Sequence, residues 1–220
     1  MNPDLGFVHR YVPGEVPDRT PLLLLHGTGG DEVDLLSFAT SVAPGAAVLS
    51  PRGNVTERGM PRFFRRRAEG VFDPDEVRRG ADDLARFVVD ARRTYGLAAP
   101  VAVGYSNGAN VAAVLLARHP GLLSGAALLR PMTVLEDVAQ PGPDAPVLIL
   151  SGAMDPIATV ADARRLAEIL RLGGARVRQE VLRTGHGLTP DDGHLVARWL
   201  SETEGGWNAG LGRQGSPDGA

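Results

Sequence analysis

The chain has 220 residues, 43% of them hydrophobic, and this length and composition suit one globular domain with a sizeable core. A formal net charge of −3, with both signs scattered along the sequence, argues against a nucleic-acid partner. All 23 basic residues are arginine and there is no cysteine, which excludes disulfides, thiolate nucleophiles, Schiff-base lysines and P-loops.

Apolar runs of strand length alternate along the chain with longer segments of helical period. The predicted strands are residues 21–26, 46–50, 100–106, 125–131, 145–152 and 177–182. The predicted helices lie near residues 33–42, 75–95, 108–118, 160–172 and 190–203. Most of the strands lack polar alternation, as strands buried on both faces do. The pattern predicts an α/β fold with a mostly parallel central sheet and helices on both faces.

We expect one domain over residues 1–203, followed by a flexible tail at 204–220 that is rich in glycine and polar residues. The interval 132–145 is short and carries prolines and acidic residues, so we expect no large lid domain. No apolar stretch approaches the roughly 18 to 20 residues of a membrane span, and the first residues lack a signal-peptide layout. We therefore expect a cytoplasmic monomer or homodimer with no membrane partner.

A serine with glycine two places before it and two places after it stands between a predicted strand and a predicted helix. This serine is Ser106, in the segment VAVGYSNGAN. A strand that enters a helix with almost no loop crowds the turn, and Gly104 and Gly108 supply the space. The start of the helix offers backbone N–H groups to an anion beside the hydroxyl. The pattern is typical of a nucleophilic serine, although GxSxG alone also occurs by chance.

A nucleophilic serine needs a base and an acid that orients the base, and in such folds the chain order is Ser, Asp or Glu, His. His186 lies between two glycines just after the last predicted strand, and we predict it to be the base. Asp155 follows the strand 145–152 and is the predicted acid. The alternatives are a plain loop histidine and a turn aspartate before proline. His9, His119 and His194 are expected to have structural or surface roles, and His26 is expected to brace the loop that it begins.

The segment HGTGGDE follows the first predicted strand, and its glycines allow a substrate to approach the backbone. We expect the backbone N–H groups of Thr28 in this loop and of Asn107, the residue after the serine, to form an oxyanion hole. The alternative is a plain glycine-rich turn without function.

The segment GMPRFFRR at residues 59–66 has two interpretations. In the first it forms a substrate pocket with an apolar or aryl-binding wall and with arginines that attract an anionic group. The residues predicted for this pocket are Met60, Phe63, Phe64 and Arg65, with Arg62 and Arg66 as further cations. In the second it is a loop that Phe63 and Phe64 anchor in the core, with solvated arginines.

Six segments in order, HGTGGDE, SPRGN, GMPRFFRR, GYSNGAN, GAMDPI and TGHGL, carry a family resemblance. Together they resemble the phospholipase/carboxylesterase group of α/β-hydrolases, especially the bacterial carboxylesterases associated with hydroquinone and quinone stress. The similarity extends to about Leu200. It implies an α/β-hydrolase fold, a Ser106–Asp155–His186 triad, and an oxyanion hole from the amides of Thr28 and Asn107.

Residues and resemblance together predict a serine hydrolase that cleaves short-chain or aryl carboxylic esters of small soluble substrates through an acyl-enzyme. No cofactor is expected, and no HExxH motif or other histidine–carboxylate cluster indicates a metal. The alternatives are an acyl-thioesterase or a lysophospholipase. A protein that keeps the fold and only binds a ligand is a further alternative.

Overall fold

Eleven strands and five helices form the regular structure of residues 3–68, 70–135 and 142–211, the part of the chain that the computed structural model describes, with residues 204–211 described by their backbone alone. The strands are β1 (His9–Val12), β2 (Leu22–Leu25), β3 (Val48–Pro51), β4 (Val55–Glu57), β5 (Met60–Arg62), β6 (Arg66–Ala68), β7 (Val71–Phe72), β8 (Val101–Tyr105), β9 (Gly125–Leu129), β10 (Pro146–Gly152) and β11 (Arg176–Leu182). The helices are α1 (Leu36–Val42), α2 (Pro74–Tyr95), α3 (Asn107–Arg118), α4 (Val160–Leu172) and α5 (Pro190–Leu211).

Seven strands form one sheet in the order β1-β3-β2-β8-β9-β10-β11. All neighbours in this sheet are parallel except β1 and β3, which are antiparallel. The six predicted strands correspond to β2, β3, β8, β9, β10 and β11, which confirms the predicted α/β class.

The strand β1 was not among the six predicted strands, because its sequence HRYV has no continuous apolar run. Its edge position leaves Arg10 and Val12 exposed.

Helices cover both faces of this sheet. On one face α2, α3 and α4 pack over a core that includes Leu84, Leu115 and Leu166. On the other face α1 and α5 pack over a second core, to which Ala39 and Trp199 contribute. The strands β2 and β10 are buried along their whole length because helices cover both of their faces.

Local signals fix the ends of the longer helices. Asp73 caps α2 by accepting a hydrogen bond from the N–H of Asp75, Pro74 occupies the first helical position, and Gly96 ends the helix in a left-handed conformation. Thr159 and Asp162 form a reciprocal capping box at the start of α4. These caps supply partners for N–H groups that a helix start would otherwise leave unpaired.

Two small antiparallel hairpins, β4–β5 and β6–β7, lie between β3 and α2. They carry the segment GMPRFFRR. Their strands have only two or three residues each and include proline and several arginines, so the sequence showed no strand pattern there.

The first turn of α3 packs directly on the end of β2. A methyl group on Gly108 would lie 1.9 Å from the carbonyl oxygen of Leu25, and one on Gly104 would lie 2.5 Å from the carbonyl oxygen of Gly108. Both distances are far shorter than any real carbon contact, so glycine is required at both positions. The predicted reason for the two glycines, crowding at the turn, matches these contacts.

The last helix continues past the predicted end of the domain. It runs to Leu211. A tail from residue 204 was predicted because the segment 204–220 is rich in glycine and polar residues. Residues 212–220 of that tail and residues 136–141 of the interval 132–145 lie outside the described residues. Within the described ranges no lid domain is inserted into the sheet, and no helix is long and apolar enough to cross a membrane.

Candidate active site

The residues predicted as nucleophile, acid and base lie together at one edge of the sheet. Ser106 follows β8 directly, Asp155 lies shortly after β10, and His186 lies shortly after β11. Because these strands belong to the parallel part of the sheet, their carboxyl ends meet at the same edge, where sites of α/β folds form.

Ser106 has an unusual backbone conformation. Its φ of 53° and ψ of −113° lie outside the regions that residues with a side chain prefer, at a cost of about 1–3 kcal/mol. Its N–H donates to the carbonyl of Leu129 at 2.9 Å, and its carbonyl accepts from the N–H of Asn110 at 3.0 Å. The strand on one side and the helix on the other therefore hold the turn in its strained form.

A chain of hydrogen bonds joins the three side chains. The Ser106 Oγ lies 3.0 Å from His186 Nε2, and His186 Nδ1 lies 2.7 Å from Asp155 Oδ2. Since a carboxylate only accepts, Nδ1 donates to Asp155, which leaves Nε2 of the neutral ring to accept from the serine hydroxyl. This is the tautomer that a base acting on Ser106 requires.

Asp155 is held in place on its other side. Its side chain is fully buried, and its Oδ1 accepts from the N–H groups of Ile157 and Ala158 at 2.8 and 3.0 Å. The carboxylate thus has partners on both oxygens. Its orientation toward His186 is fixed by the backbone of the turn that follows β10.

The two residues predicted to form the oxyanion hole also lie at this edge. Asn107 is the first residue of α3, and Thr28 lies in the loop that follows β2, the neighbour of β8 in the sheet. Across residues 3–68, 70–135 and 142–211, neither N–H has a hydrogen-bond acceptor. The loop itself is closed by the N–H of Gly30, which donates to the carbonyl of Gly27 at 3.1 Å.

His26 braces the start of the same loop. Its Nε2 accepts from the N–H of Gly53 at 2.9 Å, and its Nδ1 donates to the carbonyl of Gly27 at 2.6 Å. Both bonds need the neutral ring, because a second ring proton would face the Gly53 N–H. Burial, opposed by the bond to Gly27, lowers the pKa of His26 from its ordinary value. This arrangement agrees with the structural role predicted for His26.

The segment predicted as a pocket instead supports the loop and the helix that carry the two free N–H groups. The carbonyl of Pro61 accepts from the N–H of Gly29 at 3.0 Å, and the N–H of Phe63 donates to Asn107 Oδ1 at 2.9 Å. Between them, the buried guanidinium of Arg62 donates to Thr28 Oγ1. Three consecutive residues thus connect the two predicted sources of the oxyanion hole. The sequence did not indicate this role.

Phe63 and Phe64 do not form the predicted apolar wall. Phe63 and Phe64 are each 1% exposed and belong to the core, where the Phe63 ring packs 4.9 Å from the ring of His26. This placement corrects the pocket interpretation for these two residues and agrees with its alternative, a loop anchored by two phenylalanines. Met60 is partly exposed and Arg65 is exposed.

Two of the three arginines of the segment, Arg62 and Arg66, already have an anionic partner. The Nε of Arg62 lies 3.5 Å from Glu57 Oε2, and the Nε of Arg66 donates to Glu57 Oε1 at 3.0 Å. Glu57 thus compensates two of the cations that the pocket interpretation assigned to an anionic substrate group. Burial lowers the pKa of the Arg62 guanidinium, which has Glu57 as a nearby negative charge.

The arrangement supplies an alcohol, a base with the required tautomer and two unengaged N–H donors at one sheet edge, the groups that acyl transfer needs. Over the described ranges no group of three His, Cys, Asp or Glu side chains is placed to hold a metal ion.

Comparison with known proteins identifies relatives over most of the chain. A Bacillus subtilis (strain 168) protein with the curated name "Putative hydrolase MhqD" is 41% identical over 184 residues, which cover 82% of this chain and 92% of the relative. The crystal structure of the Bacillus cereus carboxylesterase matches with a TM-score of 0.83 and 39% identity, over 88% of this chain and 92% of that one. A carboxylesterase from Mesorhizobium loti matches with a TM-score of 0.83 and 33% identity, over 90% and 96% of the two chains. No family model matches the chain.

The sheet topology and the structural matches define the α/β-hydrolase fold. The chain belongs to the carboxylesterase family of α/β-hydrolases, and it is a carboxylesterase-type hydrolase. These findings confirm the family resemblance that its six motifs carry.

Acidification is expected to lower the stability of the protein through His26. Because the pKa of folded His26 lies below the value of 6.5 for an unperturbed histidine side chain, the unfolded chain takes up its proton at a higher pH than the folded chain. The contribution of His26 to the free energy of unfolding is therefore complete above about pH 6.5 and is lost below it, at no more than ~1.4 kcal/mol per pH unit.

This contribution can be isolated by urea unfolding of the wild type and His26→Gln between about pH 5 and pH 8. The amide of glutamine can accept from Gly53 but does not titrate. We expect a steeper loss of stability toward low pH in the wild type. Equal slopes for the two proteins would show that His26 does not couple folding to pH.

Proposed function

We propose that the protein is a serine carboxylesterase in which Ser106 is the nucleophile, His186 the general base and Asp155 the residue that orients the base. The observation that carries the proposal is the continuous chain of hydrogen bonds from Ser106 Oγ through His186 to the buried carboxylate of Asp155. The predicted chain order, Ser, Asp, His, supports the same assignment.

In the first step, His186 Nε2 takes the proton of Ser106 as the hydroxyl oxygen attacks the ester carbonyl carbon. A new C–O bond forms, and the carbonyl π electrons move to its oxygen. The negative oxygen accepts hydrogen bonds from the N–H groups of Thr28 and Asn107. When the tetrahedral intermediate collapses, the bond to the alkoxy group breaks, and the proton on His186 passes to the leaving alcohol.

In the second step, His186 removes a proton from water, and the hydroxide oxygen attacks the acyl-serine. The intermediate collapses with cleavage of the bond to Ser106 Oγ, which takes back the proton and releases the carboxylic acid. Asp155 stays ionised through both steps. It stabilises the imidazolium and keeps Nδ1 as the protonated nitrogen.

For the substrate we propose short-chain or aryl esters of small, soluble molecules. The described residues include no lid domain, and the side chain of His186 retains 21% of its surface exposed, which supports a site open to solvent. Phe63 and Phe64, the side chains first expected to enlarge an apolar pocket, are buried in the core. An open site buries little of a long acyl chain, so it gains little affinity from one.

Replacement of Ser106 or His186 by alanine should lower kcat by on the order of 10⁴-fold or more, because the two side chains act as one unit in both steps. Asp155→Asn should lose less, since nucleophile and base remain. Steady-state kinetics with p-nitrophenyl acetate measures these effects, and His194→Ala, a change to a largely exposed histidine on α5, serves as the matched control. An Asp155→Asn variant with wild-type kcat would refute the assignment of the acid.

Fluorophosphonate labelling followed by peptide mapping separates the catalytic proposal from a protein that only binds a ligand. A serine hydrolase becomes modified at Ser106, and His186→Ala suppresses the reaction because the base is missing. Unmodified Ser106 in the folded wild type would contradict the proposal. A comparison of matched esters and thioesters as substrates of the unlabelled enzyme then distinguishes a carboxylesterase from a thioesterase.

The rate of hydrolysis should fall as the acyl chain of the substrate lengthens. For p-nitrophenyl esters from acetate to palmitate we expect an optimum at about two to six acyl carbons with ordinary saturation, because an open cleft contacts little of a longer chain. Rates are measured above and below the concentration at which the long esters aggregate. A jump in rate at the aggregate would indicate activation at a lipid interface and contradict the open cleft.

A further inference from the structure

Three consecutive carbonyl groups in the loop that carries His186 accept hydrogen bonds from side chains of other elements. The carbonyl of Gly185 accepts from Arg130 Nε at 3.1 Å, and that of Gly187 accepts from Arg130 Nη2 at 3.1 Å. The carbonyl of His186 itself accepts from the hydroxyl of Tyr105 at 3.2 Å. Hydrogen bonds thus hold the backbone of His186, the predicted base, and of the residue on each side of it.

Arg130 is fully buried, and its donors are all used. Besides the two loop carbonyls, Nη1 and Nη2 donate to the two carboxylate oxygens of Asp192 at 2.8 Å each, and Nη1 also lies 3.4 Å from the carbonyl of Leu150. A guanidinium has five N–H donors in a fixed plane, and this site offers five acceptors. A lysine could not serve them from its single nitrogen.

Asp192 joins this cluster to the start of α5. Its Oδ2 also accepts from the N–H and the hydroxyl of Thr189, at 2.8 and 3.0 Å. Both Arg130 and Asp192 have no exposed side-chain surface. The ion pair therefore holds one fixed geometry, with the loop 185–187 on one side and the helix start on the other.

Stability alone does not account for a charged pair at this position. The attraction within a buried ion pair barely repays its desolvation, and apolar residues of similar volume often support folding equally well. An apolar pair could not donate to the carbonyls of Gly185 and Gly187. The feature that only the guanidinium supplies is the fixed path of the backbone around His186.

We infer that the Arg130–Asp192 pair, with Tyr105, is a positioning device that holds the backbone of His186 so that its ring lies between Asp155 and Ser106. This inference rests on the proposed function. Base and acid reside on separate loops, and a displacement of about 1 Å in a catalytic group can cost on the order of 10²-fold in rate. Arg130 touches no reacting atom and acts through the loop.

The test uses two variants of the pair and one matched control in the full-length protein. Arg130→Met removes the donors and leaves Asp192 as a buried, unpaired charge. The double variant Arg130→Met/Asp192→Asn also removes that charge, while the amide can still accept from Thr189. Arg118→Met breaks another arginine–carboxylate pair, with Asp82, between α3 and α2 and away from the His186 loop.

For each variant, kcat and KM for p-nitrophenyl acetate and the rate of Ser106 fluorophosphonylation are measured where urea unfolding shows the protein to be folded. We expect kcat and the labelling rate to fall about 10²-fold in both Arg130 variants, with KM within about 2-fold of the wild-type value. The double variant should regain stability without regaining kcat. Arg118→Met should lose stability and keep its kcat.

Recovery of wild-type kcat in the double variant, together with its stability, would overturn the inference and leave the pair a structural role only. If Arg130→Met does not fold, the double variant alone decides.

If the wild type neither hydrolyses esters nor becomes labelled, the proposed function fails. The position of His186 is then read from the downfield proton resonance of its Nδ1–H bond to Asp155. Loss of that signal in the double variant, but not in Arg118→Met, supports the inference, and its retention in both contradicts it.

Discussion

The close approach of α3 to the end of β2 is the constraint on which the rest of the site depends. Gly108 has no room for a side chain because the carbonyl of Leu25 occupies the position that a methyl group would need. This contact forces the chain to turn from β8 into α3 at a single residue, Ser106, whose strained conformation the neighbouring hydrogen bonds maintain. The same contact sets the N–H of Asn107, at the helix start, beside the loop that leaves β2. Nucleophile and candidate oxyanion donors therefore follow from one packing contact between backbones.

Two separate supports fix the groups around this turn, and neither uses the three side chains of the proposed triad as partners. On the oxyanion side, Pro61, Arg62 and Phe63 connect the loop after β2 to Asn107. On the base side, Arg130 and Tyr105 hold the backbone of the loop around His186. Each support contains a buried arginine, Arg62 or Arg130, whose guanidinium donates to the loop that it holds, which makes the supports rigid and specific in geometry. In the proposed mechanism this rigidity lowers the reorganisation needed when charge develops on the substrate oxygen.

The sequence predicted the elements whose signals are local and failed where a role depends on contacts between distant segments. The buried strands and the serine turn were predicted because continuous apolar runs and the spacing of Gly104 and Gly108 are visible in a short window. The edge strand β1 and the two hairpins lack such a run. One interpretation placed Phe63 and Phe64 in a pocket. Apolar residues beside arginines occur both in a pocket and in a loop anchored in the core, so composition does not distinguish the two. The sequence does contain one sign that Arg130 is unusual, since it is a charged residue at the end of an otherwise apolar strand. Its partner Asp192 lies 62 residues further along the chain and can be identified only from the fold.

In the proposed site, the turn at Ser106 presents its hydroxyl next to two backbone N–H groups from different segments. The most direct measurement is a crystal structure of the enzyme inactivated with a p-nitrophenyl phosphonate, whose phosphoryl oxygen takes the position of the oxyanion. We expect phosphorus bonded to Ser106 Oγ and the phosphoryl oxygen at about 2.7–3.1 Å from the backbone nitrogens of both Thr28 and Asn107. An adduct whose phosphoryl oxygen points away from these amides, or a phosphonate bonded to any other residue, would contradict it.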